Sequence, residues 1–152
     1  INMITVIQQL ETIIPEYATK CLQIPSADFN YKPAPEKWSK KEVIGHLIDA
    51  GHNTLRRFFV GQYAEMDTIW YDQDFWVLSN AYQEMEASEI INLWVMINKR
   101  IIAVLKQMPE HVYQNKINTG KQEINAKTLI WLATDYVSHL QHHIHQVLPD
   151  VS

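Results

Sequence analysis

Apolar residues recur at three- and four-residue steps in four separate stretches, each roughly 20 residues long. Stripes of that period are buried by laying helix against helix, so the pattern predicts an all-α fold. The first stretch, from Met3 to Leu22, carries Val6, Leu10, Ile13, Ile14, Tyr17 and Cys21. Pro15 lies inside it and predicts a kink or a locally broken turn, because proline lacks the N–H that the helix ladder needs. The second stretch opens on Ser39 with Glu42 three residues later, the pattern of a capping box. Its inward stripe is Val43, Leu47, Ala50, Thr54 and Phe58, and it should end near Gly61. The third begins at Ser88 or Glu89, carries Ile90, Leu93, Ile97, Ile101, Val104 and Leu105, and closes at Pro109. The fourth is capped by Asn125, runs to about Val147 and stops at Pro149.

The connections are long. Ile24 to Trp38 reads as a loop with three prolines, Pro25, Pro33 and Pro35. Gln62 to about Ala87 is rich in aromatic residues, and a short helix from about Gln73 to Tyr82 would relieve a loop of unusual length. His111 to Asn125 contains Asn118-Thr119-Gly120, a turn signal that suits a small hairpin before the last helix. The expected fold is a four-helix bundle with long connections, a single domain over residues 1–152, and not necessarily an up-down-up-down topology.

Charge and cysteine content narrow the function. The formal net charge is −4, with only local basic pairs such as Lys40-Lys41 and Arg56-Arg57, which disfavours nucleic-acid binding. The single cysteine, Cys21, excludes an intrachain disulfide and reads as a small buried hydrophobe rather than a nucleophile. No basic n-region leads into an apolar run at the N-terminus, and no apolar stretch approaches a membrane span, so a cytoplasmic protein is expected.

Of seven histidines, four fall within seven residues: His139, His142, His143 and His145. Residues four apart share a helix face, and His139 and His143 fall on the apolar stripe Leu129, Leu132, Tyr136, His139 or Leu140, His143, Val147. Two inward imidazoles need partners, since an unpartnered buried polar group costs about 2–7 kcal/mol on transfer scales. A divalent metal would supply that partner, with His46, beside Val43, Leu47 and Ala50, as the candidate third ligand. A histidine pair at this spacing is, taken alone, more often plain surface or core. Asp135, Glu42 and Asp49 stand at helical spacing to these histidines and could fix their tautomers, or simply be solvated. By helical geometry His142 is near enough to serve as a spare ligand or proton carrier; His145, His52 and His111 read as solvated.

Three segments carry a family resemblance. The run Trp38-Ser39-Lys40-Lys41-Glu42-Val43-Ile44-Gly45-His46-Leu47-Ile48-Asp49 resembles the second-helix motif of the DinB-like superfamily, in particular its YfiT-like branch. His139-Leu140-Gln141-His142-His143 resembles that branch's H-x-x-H-H motif, and Tyr71-Asp72-Gln73-Asp74-Phe75-Trp76 is similar to a Tyr-Asp stretch ending in Trp. In order, the matches span about Leu10 to Val147; Ala50 departs from a Ser common in relatives. The resemblance implies a four-helix bundle and a mononuclear site of His46, His139 and His143, with nickel or zinc as the ion. It also implies a metal-dependent hydrolase or a thiol S-transferase, commonly a homodimer.

Three readings follow. In the leading one, the ion holds a low-molecular-weight thiol as thiolate, and Trp70, Tyr71 and Trp76 shape a pocket for the electrophile, unless they merely pack against the bundle. In the second, the ion activates water for hydrolysis, with Asp49, Asp135 or His142 as the nearest general base. In the third, the protein is a non-enzymatic binding or stress-response module whose metal is structural or adventitious. Iron and manganese would also suit three imidazoles, so the ion is not selected by affinity order.

Overall fold

The computed structural model describes residues 2–151. Helix α1 spans Met3–Leu22, where the Asn2 side chain accepts the Thr5 N–H at 2.9 Å as its N-cap. The helix is continuous through Pro15, against the expectation of a broken turn. Pro15 and Glu11 lie on the exposed side, where water can satisfy the carbonyl that proline leaves free. Ile13, Ile14, Tyr17 and Ala18 on the other side are buried and hold the segment in register.

The proline-rich stretch that follows is not wholly loop. It contains α2, Ser26–Asn30, anchored by the buried Phe29. Helix α3, Lys40–Tyr63, starts on the expected capping box: the Glu42 N–H donates to Ser39 Oγ and the Ser39 N–H to Glu42 Oε1, each at 3.1 Å. It runs two residues past Gly61, which stays helical as a contact point: a Cβ there would lie 2.6 Å from Leu129 Cδ2.

Helix α4, Gln73–Asn80, is capped by Asp72. It ends two residues earlier than expected, because Ala81 turns left-handed (φ 52°) and a 3₁₀ turn follows at Tyr82–Glu84. Helix α5 occupies Ala87–Gln107, but its buried face is rotated from the expected one. Ile91, Trp94 and Asn98 join Ile90, Ile101 and Leu105 inside, while Leu93 is 39% exposed. Strands β1 (Lys116–Asn118) and β2 (Ala126–Thr128) form the expected hairpin, pairing Ile117 with Lys127. Its turn is wider than an Asn-Thr-Gly reversal, closing from the Thr119 N–H to the Asn125 carbonyl at 3.0 Å. Asn125 therefore does not cap the last helix; Thr128 does, accepting the Trp131 N–H at 3.1 Å. That helix, α6, is Leu129–Val147.

Helix α3 packs on both α5 and α6, and α1 packs on the same two, so the long helices make a four-membered ring with α1 diagonal to α3. One apolar cluster, drawn from all four, fills the ring. The α4–α5 connection folds back on α3 at Gly45, where a Cβ would come 2.2 Å from Tyr82 Cδ2. That close approach lets the Tyr82 hydroxyl donate to Asp49 Oδ1 at 2.7 Å. Gly45→Ala should therefore displace Tyr82 and strip the buried Asp49 of a donor, at a cost of about 2–4 kcal/mol. A fall in the urea midpoint at unchanged slope would register it; an unchanged midpoint would show that the tyrosine shifts freely.

Candidate metal centre

The α3–α6 contact brings together side chains far apart in sequence. His46 comes from the fully buried face of α3. His139 and His143 come from α6, but Leu140 and Ile144 take the deepest positions there, so the two histidines sit half-buried beside the core stripe, facing α3. Nitrogens from the three rings all lie within 4.8 Å of one another. The Nε2 atoms of His46 and His139 are 3.4 Å apart, and the His143 ring centroid is 4.6 Å from that of His46 and 4.5 Å from that of His139. Among the described residues this is the one group of three or more His, Cys, Asp or Glu that could hold a metal ion.

The electrostatics favour neutral imidazoles. Burial pushes His46 down to about 3, with the positive charge that His143 and His139 would carry as further causes. Burial, then His143 and His142, push His139 down to about 4. A neutral imidazole has one N–H and one lone pair. His143 Nδ1 lies 3.0 Å from Gln146 Oε1, an acceptor, and a hydrogen bond donated by Nδ1 would leave the Nε2 lone pair for a ligand. Trp38 stacks on His46, with centroids 4.9 Å apart and planes 30° apart.

Two features test whether a divalent ion fits. Among the described residues no acceptor or donor meets the buried Nδ1 of His46, and its Nε2 faces another imidazole rather than a carboxylate. Bonds of about 2.0–2.1 Å at a tetrahedral centre place nitrogens about 3.3–3.4 Å apart, the His46–His139 separation. The residues fit the group.

The expected supporting carboxylates are placed otherwise. Glu42 is committed to the capping box and to an ion pair with Lys32. Asp49 is buried, but its Oδ1 accepts from Tyr82 and from Asn80 Nδ2 rather than from His46, and its Oδ2 has no partner among the described residues. Burial pushes its carboxyl up to about 6 against the lowering effect of the Tyr82 hydrogen bond. Asp135 is exposed and makes no hydrogen bond to His139 among the described residues; burial still raises its carboxyl. His142 is exposed, with its ring 5.1 Å from that of His143 and outside the three-nitrogen group. His145, His52 and His111 are exposed as expected.

Two cavities adjoin the cluster. An open cleft of about 520 Å³ is lined by Tyr31, Trp38, Lys37, Lys40 and Gln146 among others, and Trp38 and Gln146 are the side chains that touch His46 and His143. On the other side, a cavity of about 110 Å³ is walled by His139, Arg57, Tyr71, Thr54 and Asp135 among others. Of the expected aromatic residues, Tyr71 reaches this wall, and Trp76 packs edge-on against Tyr71 at 5.3 Å. Trp70 lines neither cavity and instead lies under the Lys121 ammonium at 4.7 Å. Sequence reasoning missed Gln146 and Arg57. Their signals were helical spacing: Gln146 is one turn after His143, and Arg57 about three turns after His46 on nearly the same face.

The sequence pattern of the DinB superfamily matches residues 9–147. The fold is that of YfiT from Bacillus subtilis, described as a probable metal-dependent hydrolase with an unusual four-helix bundle topology. The two align with a TM-score of 0.85 and 21% identity over 97% of this chain and 84% of YfiT. A mycothiol-dependent maleylpyruvate isomerase aligns with a TM-score of 0.79 and 9% identity, over 97% of this chain but only 61% of the isomerase. No curated protein matches the chain by sequence. No described helix is long and apolar enough to cross a membrane.

Proposed function

The chain belongs to the DinB superfamily, and from that premise we propose that it is a metal-dependent enzyme that transfers a low-molecular-weight thiol to an electrophile. The observation that carries the reading is the convergence of three imidazoles, His46, His139 and His143, with no carboxylate in the group and an open cleft beside it. These three would hold one divalent ion, nickel or zinc in the first instance. When bound, such an ion would supply Lewis acidity, favouring the deprotonated form of a thiol or of water.

The chain's own residues supply the rest. Gln146 meets Nδ1 of His143 and so orients the ring, leaving Nε2 without a protein partner among the described residues. Trp38 covers one face of the buried His46 and itself lines the cleft. Tyr31 and Trp38 offer apolar walls, and Lys37 and Lys40 offer cations, to a small polar molecule with an apolar part.

A second reading, hydrolysis, is favoured by Asp49. A buried carboxyl held near 6 with a free Oδ2 is suited to moving a proton near neutral pH, and YfiT is described in hydrolytic terms. Assay of the purified protein on activated electrophiles, with and without a small thiol, separates the two. Turnover that requires the thiol and consumes it stoichiometrically is the expected result. Equal turnover without thiol would assign hydrolysis instead.

A further inference from the structure

The cavity behind His139 contains a charge arrangement that the proposed reaction does not use. Arg57 is half-buried and spends two of its nitrogens, Nε and Nη2, on one acceptor, the Ile69 carbonyl, at 3.2 and 2.7 Å. Its Nη1 makes no hydrogen bond, and no carboxylate lies within ion-pair distance of it, among the described residues. Asp135 lines the same cavity and is likewise without a hydrogen bond or an ion pair among the described residues. Tyr71 lines it too, and its hydroxyl has no protein partner among the described residues; burial pushes that hydroxyl up to about 12, so it stays a donor. A guanidinium, a phenol and a carboxylate thus share one wall with unused hydrogen-bonding capacity and do not satisfy one another.

A half-buried guanidinium with an unused Nη1, facing an exposed carboxylate across a gap, leaves room for a polar group to meet both. The gap has room for a few waters or a small ligand group, since each water takes about 30 Å³ in the liquid. The donors, Arg57 and Tyr71, suit a carboxylate; the acceptor, Asp135, demands a donor next to it. We infer that this cavity is a subsite for an α-hydroxy- or α-amino-carboxylate headgroup, with Arg57 and Tyr71 holding the carboxylate and Asp135 the neighbouring hydroxyl or ammonium. Because His139 forms part of the wall, a molecule anchored here would have its remaining atoms beside the three histidines. That link to catalysis rests on the proposed function; the binding site itself does not.

The test uses the full chain loaded with zinc, which is diamagnetic, and follows the Arg57 Nε–H and Tyr71 amide signals by NMR. Glycolate and acetate, which differ by one hydroxyl, are titrated at neutral pH. Saturable shifts are expected, with glycolate binding about tenfold more tightly than acetate. Arg57→Gln should weaken both by about tenfold or more, read from tyrosine and histidine signals. Asp135→Ala, at an exposed position that leaves the fold alone, should erase the preference for glycolate and tighten acetate by removing a like charge. Unsaturable shifts, equal affinities in the unaltered protein, or affinities indifferent to Arg57→Gln would overturn the subsite, the last because it would place the acid on the metal. If the glutamine variant loses its fold with the Ile69 contact, the Asp135→Ala titration decides alone. Absence of metal from the protein would overturn the proposed reaction and leave these titrations standing.

Discussion

Replacing His46 with alanine is expected to lower the affinity for a divalent ion by about two to three orders of magnitude, since shared among its ligands a structural zinc site's binding energy amounts to a few kcal/mol each. The reason is where the nitrogens come from. His139 and His143 lie on one helix at the edge of the core, and a pair at that spacing is a weak chelate. His46 is the proposed ligand that ties α6 to α3, and it is the one wholly removed from water. Its loss also deletes the orphaned Nδ1, so the alanine variant should keep the bundle, which far-ultraviolet circular dichroism would verify. Elemental analysis of tag-free protein prepared without nickel resin gives the reference: one ion per chain in the unaltered protein. Calorimetric titration with zinc then measures the loss. A variant that holds metal as tightly as the parent would show the coordination to be wrong. A parent with no stoichiometric metal would make the ion adventitious and remove the basis for either enzymatic reading.

The fold was legible because four stripes of helical period have only a few ways to be buried, and the capping box at Ser39 and the stop at Pro149 bounded two of the helices closely. What escaped was anything decided by a neighbour. In α5, apolar residues at 90, 91, 93, 94, 97 and 101 support two overlapping faces, and the partners α1 and α3 selected the one with Trp94 rather than Leu93. In α1, Pro15 falls on the exposed side and the helix runs on through it, and exposure is not written in the residue itself. Asn125 and Thr128 are both good caps; the hairpin used Asn125 to close its own turn and left Thr128 for the helix.

The candidate site divides along the same line. Spacing alone pairs His139 with His143, but His46 lies 93 residues before His139, and only the packing of α3 on α6 brings the rings together. Asp49, at helical spacing from His46, was a reasonable support for it. The missing Cβ at Gly45 instead admits Tyr82, which captures that carboxyl. Arg57 read only as half of a local basic pair, and its partial burial goes with the Ile69 carbonyl presented by the α3–α4 connection.

The metal-free protein is expected to lose stability on acidification, by about 3 kcal/mol between pH 7 and pH 4.5, which lowers Tm by roughly 10 °C. The sign follows from where each proton binds. An unfolded chain protonates its histidines near 6.5, whereas in the folded one burial holds His46 to about 3 and His139 to about 4. Between those limits the unfolded state binds more protons, so stability is complete above pH 6.5 and drains away as pH falls towards the folded values. Asp49 acts in the opposite direction: its carboxyl, held at about 6, takes up a proton in the folded state before the unfolded chain does, so it returns part of the loss below pH 6. Asp135, also raised, adds to that return. The two histidines outweigh the carboxyls because their displacements are together larger and begin at higher pH. Zinc should steepen the dependence, since it competes with protons for the same nitrogens: at a thousandfold excess over Kd it adds about 4 kcal/mol at pH 7, and this increment should vanish near pH 4.5. Thermal unfolding of stripped and zinc-loaded protein across this range measures both slopes, and stripped His46→Ala, which lacks the larger of the two histidine displacements, should be shallower than either. A Tm of the stripped protein that stays level or rises on acidification would mean that burial does not hold His46 and His139 neutral below pH 6.5 and that their protonation costs the fold nothing.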